Sequence, residues 1–428
     1  MNIIDQILGV IRRALPEKVF AVIQPAYHWA LAFLAALWYR FPSRKIKVIG
    51  VTGTKGKSST VELINAMLME AGYKTALSNT IRFKVGDLSS ENLYKMSMPG
   101  RFAVQKLIRK AVNNGCAYMV IEMTSQGALF YRHRFIELDA FVFTNLSYEH
   151  VEAHGSYEKY VESKLSICRN MKRSHKKDKV IITNADDIES HRFTACASDR
   201  KMSFGEKDAQ PYTLKKDGSQ FTYDGKLVTI RLSGLFNIYN ILAAATVAKS
   251  QGISSAEIIR AVERFDGIPG RVQRIDVGQD FTVIVDYAHT PDSLEKLYQV
   301  FQSSKSICVL GGTGGGRDKS KRTVMGEIAD EYCDEIILTN EDPYDEDPKD
   351  IINDVARGVT SQMPSIIMDR RSAIREALKR ARTGDTVLIT GKGTDPFIMG
   401  PKNERTPWSD VRVVTEELNR MRDRVVAE

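Results

Sequence analysis

Lys57 and Ser58 come directly after Gly53 and Gly56 in the run Lys45-Ile-Lys-Val-Ile-Gly-Val-Thr-Gly-Thr-Lys-Gly-Lys-Ser-Ser-Thr60. That order of residue types suits the gripping of a polyphosphate. Glycines let backbone N–H groups turn inward on an anion, and a helix N-terminus adds its partial positive charge. Lys57 would reach the β- and γ-phosphates and Ser58 would hold Mg²⁺. The expected ATP contacts here are Gly53, Thr54, Lys55, Gly56, Lys57, Ser58 and Ser59. The generic pattern asks for a glycine five residues before Gly56, where this chain has Val51. An ordinary tight strand-to-helix turn is the plain alternative. Lys57-Ser58 at a helix start speaks against it.

Such a loop needs a strand before it and a helix after it. The β-branched run Ile46–Val51 predicts a buried strand. Val61, Ile64, Met67 and Leu68 share one face of a helix predicted to run through Ala71. Ala117–Glu122, Ala140–Asn145 and Lys179–Asn184 are further apolar runs, each ending in a polar residue. Strands alternating with helices predict a parallel sheet covered by helices. Ligands of such sheets lie at the carboxyl ends of the strands, where Glu122, Asn145 and Asn184 fall. Asp217-Gly218 and Asp224-Gly225 mark hairpins in a small antiparallel patch between Tyr212 and Leu232. Helices are predicted over 237–251 and 255–265, and Gly267-Ile-Pro-Gly270 closes the domain. A second alternation then places strands at Phe281–Asp286, Ser306–Leu310, Glu335–Thr339, Ser365–Met368 and Thr386–Thr390. The fold class is therefore α/β. A P-loop-type central parallel-sheet domain (46–268) is followed by a second doubly wound, Rossmann-like domain (269–428). A short apolar helical segment (1–45) precedes both.

The chain has 428 residues, 43% hydrophobic and 27% charged, as in a globular protein of two or three domains. A net charge of +8 favours anionic partners, whether nucleotides, phosphorylated precursors or an anionic membrane surface. No basic stripe is interleaved with aromatics, so no nucleic-acid partner is expected. Cys116, Cys168, Cys196, Cys308 and Cys333 are far apart and read as reduced core thiols of a cytoplasmic protein. Ile3, Ile4, Ile7, Leu8, Ile11 and Leu15 give residues 1–15 an amphipathic face, and 19–39 are more apolar still. Two readings follow. One is a helical hairpin packed on the next domain. The other is a membrane-interface anchor over residues 1–41, with Trp29, Trp38, Tyr39 and Arg40 at the headgroups.

Here the motifs become specific. Gly53-Thr-Lys-Gly-Lys-Ser-Ser59 resembles the nucleotide loop of the Mur ligases, ATP-dependent amide ligases that build the peptide of peptidoglycan. Glu122-Met-Thr-Ser-Gln-Gly-Ala128, Phe143-Thr-Asn-Leu-Ser-Tyr-Glu-His150 with His154-Gly155, Asn184-Ala-Asp-Asp187 and Phe236-Asn-Ile-Tyr-Asn240 resemble further family stretches in the family's order. Pro269-Gly-Arg271, Asp286-Tyr-Ala-His-Thr-Pro-Asp292, Gly311–Asp318 and Gly391-Lys-Gly393 are similar to the branch that adds the third peptide residue. The resemblance implies that the acceptor carboxylate is activated as an acyl phosphate by ATP and then joined to an amino acid's amine. It implies catalytic roles for Lys57, Glu122, His150 and Lys164. Metals would sit on Ser58 and Glu122, and on His150 and a carbamate formed on Lys164. Asn237, Asn240, Arg271 and Asp286 would contact the nucleotide, Ser97, Ser125 and Arg132 the acceptor. Arg317, Asp342, Tyr344, Gly391 and Asp395 would contact the amino acid. The partners implied are a nucleotide- or lipid-linked muramoyl peptide and a free amino acid. The location implied is the cytoplasm, at the inner face of the membrane if residues 1–41 bind there.

Three departures from the family bear on the substrates. Only the apolar segment stands where the family has its uridine-nucleotide domain. Ser97-Met98-Pro99 replaces Thr-Thr-Pro, and Thr124-Ser125-Gln126 replaces Ser-Ser-His. Glu341-Asp-Pro-Tyr344 replaces the Asp-Asn-Pro-Arg of the diaminopimelate enzymes, and Gly391-Lys-Gly-Thr-Asp395 replaces Gly-Lys-Gly-His-Glu. Tyr344 cannot form an arginine's charged clamp, which leaves lysine or another amino acid open. Two alternatives stand beside the lead reading. One is a ligase of a lipid-linked or non-muramoyl acceptor, of the cyanophycin or folylpolyglutamate kind. The other is a nucleotide-binding scaffold without catalysis.

Overall fold

A computed structural model describes residues 17–149 and 154–427. The helix expected over 1–15 and the site residue His150 lie outside the described residues. The chain forms two compact units. The first runs to Glu206 and takes back Asn240–Ile258. The second comprises Lys207–Tyr239 and everything from Ile259 on.

The first unit begins with α1 (Glu17–Trp38), one helix that runs through Pro25. It packs through Ala32, Ala35 and Ala36, whose small side chains are buried and let the backbone come close to its neighbour. Phe33 and Trp29 meet Phe135 edge-on, with ring centroids 5.5 and 5.4 Å away. That neighbour is α3 (Arg101–Asn113). Its Arg109 donates to the Tyr39 carbonyl at 2.7 Å and to the Arg40 carbonyl at 3.1 Å. A cation there satisfies carbonyls left open at a helix C-terminus.

The sheet of this unit has the order β4-β3-β2-β5-β1-β6-β7-β8. It is parallel from β2 (Thr75–Ser78) through β5 (Tyr118–Glu122), β1 (Lys47–Thr52), β6 (Ala140–Phe143) and β7 (Val180–Asn184) to β8 (Arg200–Phe204). β3 (Arg82–Val85) and β4 (Leu88–Glu91) extend one edge as antiparallel strands. β1 is central, buried on both faces after Lys47. Its register sets Val51 beside Glu122 and Thr52 beside Phe143. The loop that leaves β1 is thereby delivered to the carboxyl ends of its two neighbours. α2 (Lys57–Glu70) follows that loop, α4 (Ser125–Leu129) follows β5, and α5 (Tyr157–Arg169) precedes β7.

In the second unit, β9 (Tyr212–Lys215), β10 (Gly218–Tyr223) and β11 (Lys226–Ile230) form the antiparallel patch. The main sheet has the order β12-β13-β17-β14-β15-β16. Its parallel core is β13 (Thr282–Val285), β14 (Ser306–Leu310), β15 (Glu335–Leu338) and β17 (Thr386–Ile389), with an apolar cluster on each face. β16 is only Ser365–Ile366, shorter than expected, and β12 (Gln273–Arg274) is an antiparallel edge. One correction falls here. Cys308 and Cys333 form a disulfide, with Cα atoms 6.1 Å apart, where reduced thiols were expected. They are 25 residues apart in sequence. The pairing of β14 with β15, which starts just after Cys333, brings them together, and spacing alone could not show it. Cys116, Cys168 and Cys196 are free and buried.

Candidate active site

In the first unit the site is built on the loop between β1 and α2. Gly53 has φ +155°, and a Cβ there would lie 1.9 Å from Thr144 Oγ1. Gly56, the residue before α2, has φ +76°, and a Cβ there would lie 2.1 Å from Asn240 Oδ1. Only glycine fits at these two points. Asn145 carries the loop from the next strand: its carbonyl accepts from Thr54 N at 2.9 Å and its Oδ1 from Lys55 N at 2.8 Å. Lys55 pairs with Glu149 at 2.5 Å. Lys57 Nζ donates to the Thr54 carbonyl at 2.8 Å. Ser59 is buried under the loop, and Asn240 lies against Gly56 with its Oδ1 3.5 Å from Thr60 Oγ1.

Ser58 Oγ donates to Glu122 Oε2 at 2.7 Å, and both residues are buried. Thr80 donates to the same carboxylate from its backbone N at 3.0 Å and from Oγ1 at 3.1 Å. Thr80 Oγ1 lies 2.5 Å from Ser97 Oγ. One polar chain thus joins Ser58, Glu122, Thr80 and Ser97. Sequence reasoning missed Thr80, because nothing in its own context separates it from other threonines. Ser125 Oγ lies 3.1 Å from His154 Nε2, and His154 Nδ1 lies 3.2 Å from Ser163 Oγ. Burial, then the charge of Lys164, lowers His154 below the usual histidine range. Lys164 sits on α5, fully buried, with Nζ donating to the Gly53 carbonyl at 2.6 Å and placed 4.7 Å over the Tyr160 ring. Burial, then the charge of Lys57, holds Lys164 well below the ordinary lysine value. Arg132 donates to the Met98 carbonyl.

Among the described residues no three His, Cys, Asp or Glu side chains gather into a metal cluster. Magnesium does not need one. It takes hard oxygen ligands, keeps several waters and shares substrate phosphates. The buried Ser58 hydroxyl and Glu122 carboxylate, set against a phosphate-type loop, fit that donor set.

In the second unit, residues at strand ends gather around Lys392. Its Nζ donates to Asp342 Oδ1 at 2.7 Å, Asp395 Oδ2 at 3.0 Å and the Phe397 carbonyl at 2.6 Å. Burial works against that ammonium, but Asp395, Asp342 and Glu341 outweigh it and raise Lys392 above its usual value. Asp342 Oδ1 also accepts from Met399 N at 2.8 Å. Glu341 accepts from Thr313 Oγ1 at 2.8 Å, and burial raises its carboxyl above the usual range. Gly391 has φ +102°, and a Cβ there would lie 2.4 Å from Glu341 Oε2. Tyr344 has φ +52° and packs on Gly315. Arg317 is exposed, and its charge reaches Tyr287 and Tyr344. Arg271 stands over the Tyr287 ring at 4.4 Å. Asp286 accepts from Val272 N at 2.7 Å and Ala288 N at 2.6 Å. Asn237 is buried, with Nδ2 donating to the Ser233 carbonyl at 2.9 Å. The network centred on Lys392 was not foreseen; its Gly-Lys-Gly setting was the signal.

The sequence family described as "Mur ligase middle domain" matches residues 51–248, and "Mur ligase, glutamate ligase domain" matches 270–393. The chain is 37% identical over 416 residues to the UDP-N-acetylmuramoyl-L-alanyl-D-glutamate--2,6-diaminopimelate ligase of Syntrophomonas wolfei, covering 94% of this chain and 84% of that protein. It is 36% identical over 408 residues to the UDP-N-acetylmuramyl-tripeptide synthetase of Roseiflexus sp., covering 89% and 80%. A solved UDP-N-acetylmuramoyl-L-alanyl-D-glutamate--2,6-diaminopimelate ligase superposes with TM-score 0.61 at 26% identity, over 88% of this chain and 79% of that one. Mycobacterium tuberculosis folylpolyglutamate synthase with ADP superposes with TM-score 0.67 at 16% identity, over 92% and 94%, a likeness of fold alone.

Proposed function

The chain belongs to the Mur ligase family, and from that premise we propose that it joins an amino acid to the carboxylate of a muramoyl-peptide acceptor in peptidoglycan precursor synthesis. It is an ATP-dependent ligase of the acid–amino-acid type. The reaction proceeds by phosphorylation of the acceptor carboxylate and attack of the amino acid's amine on the acyl phosphate. The observation that carries the reading is the chain Ser58–Glu122–Thr80–Ser97. It ties the nucleotide loop to Ser97, proposed for the acceptor, through one buried carboxylate.

Lys57 and the N–H groups of the loop bind and orient the phosphates and offset charge that grows in transfer. Ser58 and Glu122 would hold Mg²⁺, which neutralises phosphate charge when bound. Lys164 is proposed to be carbamylated and, with His150, to hold a second metal ion. Burial, then the charge of Lys57, lowers the Lys164 pKa and so favours the unprotonated amine, the form that adds carbon dioxide. Ser97, Ser125 and Arg132 are assigned to the acceptor. Asn237, Asn240, Arg271 and Asp286 are assigned to the nucleotide, and Arg317, Asp342, Tyr344, Gly391 and Asp395 to the amino acid. Residues 46–268 are proposed as the central ATP-binding domain and 269–428 as the C-terminal domain of the ligase.

A membrane-surface location, with a lipid-linked acceptor, is the second reading. Among the described residues no helix is long and apolar enough to cross a membrane. The feature favouring surface attachment is α1, which exposes Trp29, Leu34, Leu37 and Trp38 just before exposed Arg40, Arg44 and Lys45. Flotation with anionic vesicles, comparing the full chain with one starting at Lys45, tests it; equal behaviour removes it. The ligase reading is tested by phosphate release from ATP with the UDP-N-acetylmuramoyl dipeptide, screened across single amino acids. An acceptor mass increased by one residue supports it and names the amino acid. Bound ATP without turnover moves the search to other acceptors.

A further inference from the structure

Three cationic or titratable side chains in the first unit converge on Phe130, which follows α4. His28 of α1 meets the Phe130 ring edge-on, with centroids 5.3 Å apart. Arg132 holds its guanidinium 5.4 Å from the same ring centroid. Arg101, the first residue of α3, donates from Nη2 to the Phe130 carbonyl at 2.5 Å. Buried polar atoms of all three have no hydrogen-bond partner: both ring nitrogens of His28, Arg101 Nε and Arg132 Nε.

No carboxylate offsets these charges among the described residues. Burial, then Arg132, lowers Arg101 to about 10, with Tyr27 acting the other way. Burial lowers Arg132. Burial, then Arg101 and Arg132, lowers His28 to about 4. Elsewhere in the chain, buried arginines are paired: Arg322 with Glu346 and Asp354, and Arg370 with Asp410. Desolvating a guanidinium is costly unless an anion is brought to it. Each guanidinium carries about five N–H donors in a fork that matches a carboxylate or a phosphate. Arg101 commits one of them to Phe130. Arg132 commits Nη1 to Met98, the neighbour of Ser97.

We propose that His28, Arg101 and Arg132, gathered around Phe130, form a receptor for an oxyanion of the acceptor, a carboxylate or a phosphate group, continuous with the Ser97 and Ser125 positions. That the oxyanion belongs to the acceptor rests on the ligase reading; that the cluster binds oxyanions does not. The apolar helix α1 is thereby a supplier of a substrate contact and not packing alone.

The test uses the full chain with its nucleotide loop filled by a non-hydrolysable ATP analogue and Mg²⁺, so that added phosphate cannot enter there. Inorganic phosphate is then titrated calorimetrically. Arg101→Gln is expected to weaken phosphate binding about tenfold, the worth of one charge-assisted contact. Arg101→Lys restores part of it, and His28→Ala, with an unchanged thermal midpoint, weakens it less. Absence of phosphate binding, or equal affinity in the native chain and both Arg101→Gln and His28→Ala, overturns the proposal whatever the ligase assays give. In the second arm, KM is measured for the muramoyl dipeptide with and without its uridine diphosphate. A rise in both variants with either acceptor, at constant kcat and constant KM for ATP, assigns a peptide carboxylate. A rise confined to the nucleotide-linked acceptor assigns a phosphate. An unchanged KM for both acceptors also overturns the proposal. Failure of every acceptor to turn over counts against the ligase reading, and the phosphate titration then decides this one alone.

Discussion

Ser58 and Glu122 are 64 residues apart in sequence, yet the serine hydroxyl donates to the carboxylate at 2.7 Å in a buried setting. The parallel pairing of β1 with β5 accounts for the approach, since Val51 is registered against Glu122. Glu122→Gln keeps the shape but removes the charge that a hard cation needs. Phosphate release is expected to fall by about 10²–10³-fold, as when one electrostatic stabiliser is lost. Binding of an ATP analogue changes far less. A variant that releases phosphate at the native rate would remove Glu122 from the catalytic set.

Gly56→Ala tests the loop's geometry. Its φ of +76° is a strained conformation for alanine, at a cost of about 1–2 kcal/mol. The added methyl also meets Asn240 Oδ1 at 2.1 Å. ATP affinity is expected to drop more than about tenfold. Adding Asn240→Gly relieves the contact but leaves the backbone strain and also removes the nucleotide contact proposed for Asn240, so the double variant recovers at most part of the loss. Full recovery would show that the contact alone matters.

Lys164→Met bears on both stability and activity. Burial holds the native amine well below its ordinary 10.5, so between the two values the unfolded chain binds more protons than the native one. The penalty is fully present below the native value and vanishes as the pH rises to the unfolded one. The variant is therefore expected to be more stable than the native chain in carbon dioxide-free buffer. Its advantage shrinks by about 1.4 kcal/mol per pH unit as the pH rises through that window. Bicarbonate should stabilise the native chain and leave the variant unmoved. Denaturant unfolding across pH measures this; a pH-independent difference refutes it. Ligase activity of the variant should be lost.

Arg370 and Asp410 are both almost wholly buried and pair at 2.7 Å, with Arg370 also donating to the Thr390 carbonyl at 2.7 Å. Asp410 opens the C-terminal helix Asp410–Ala427. Arg370→Met strands a buried carboxylate and is expected to cost about 3–5 kcal/mol in urea unfolding. Arg370→Met with Asp410→Leu should recover most of that, because the burial penalty leaves with the charges.

Residues that act within one local run were legible in the sequence. The nucleotide loop and the carboxylate that ends β5 are each marked by residue type and by the strand or helix beside them, whereas Lys164 on α5 reads as an ordinary helix-face lysine and is singled out only by the family resemblance. What escaped depends on register and packing between distant segments. Thr80 matters only because β2 lies beside β5 and delivers its following turn to Glu122. Cys308 and Cys333 meet only through the β14–β15 pairing. The convergence of His28, Arg101 and Arg132 on Phe130 needs α1, α3 and α4 packed together, and no spacing encodes that. His28 in particular reads as an interruption of an apolar helix until its neighbours are known.

Tyr344 is the residue proposed to select the amino acid that enters. Its backbone is held by a hydrogen bond from its N–H to the Met399 carbonyl at 3.1 Å, and its ring lies on Gly315. Asp342 beside it is committed to Lys392 and to Met399 N. The motif is therefore fixed by backbone and buried charge, while the side chain at 344 is exchangeable. A phenol offers one weak donor, whereas an arginine offers a bidentate grip on a second carboxylate. The native chain is expected to use lysine, or another amino acid without a distal carboxylate, in preference to diaminopimelate. Tyr344→Arg should shift the ratio of kcat/KM for diaminopimelate over lysine upward by about tenfold, the worth of one charge-assisted pair. The backbone at φ +52° is no more strained for arginine than for tyrosine, so folding should be unaffected. Product masses from competing amino acids give the ratio directly. A native chain that already favours diaminopimelate would mean that its distal carboxylate is held elsewhere, with exposed Arg317 the first side chain to examine.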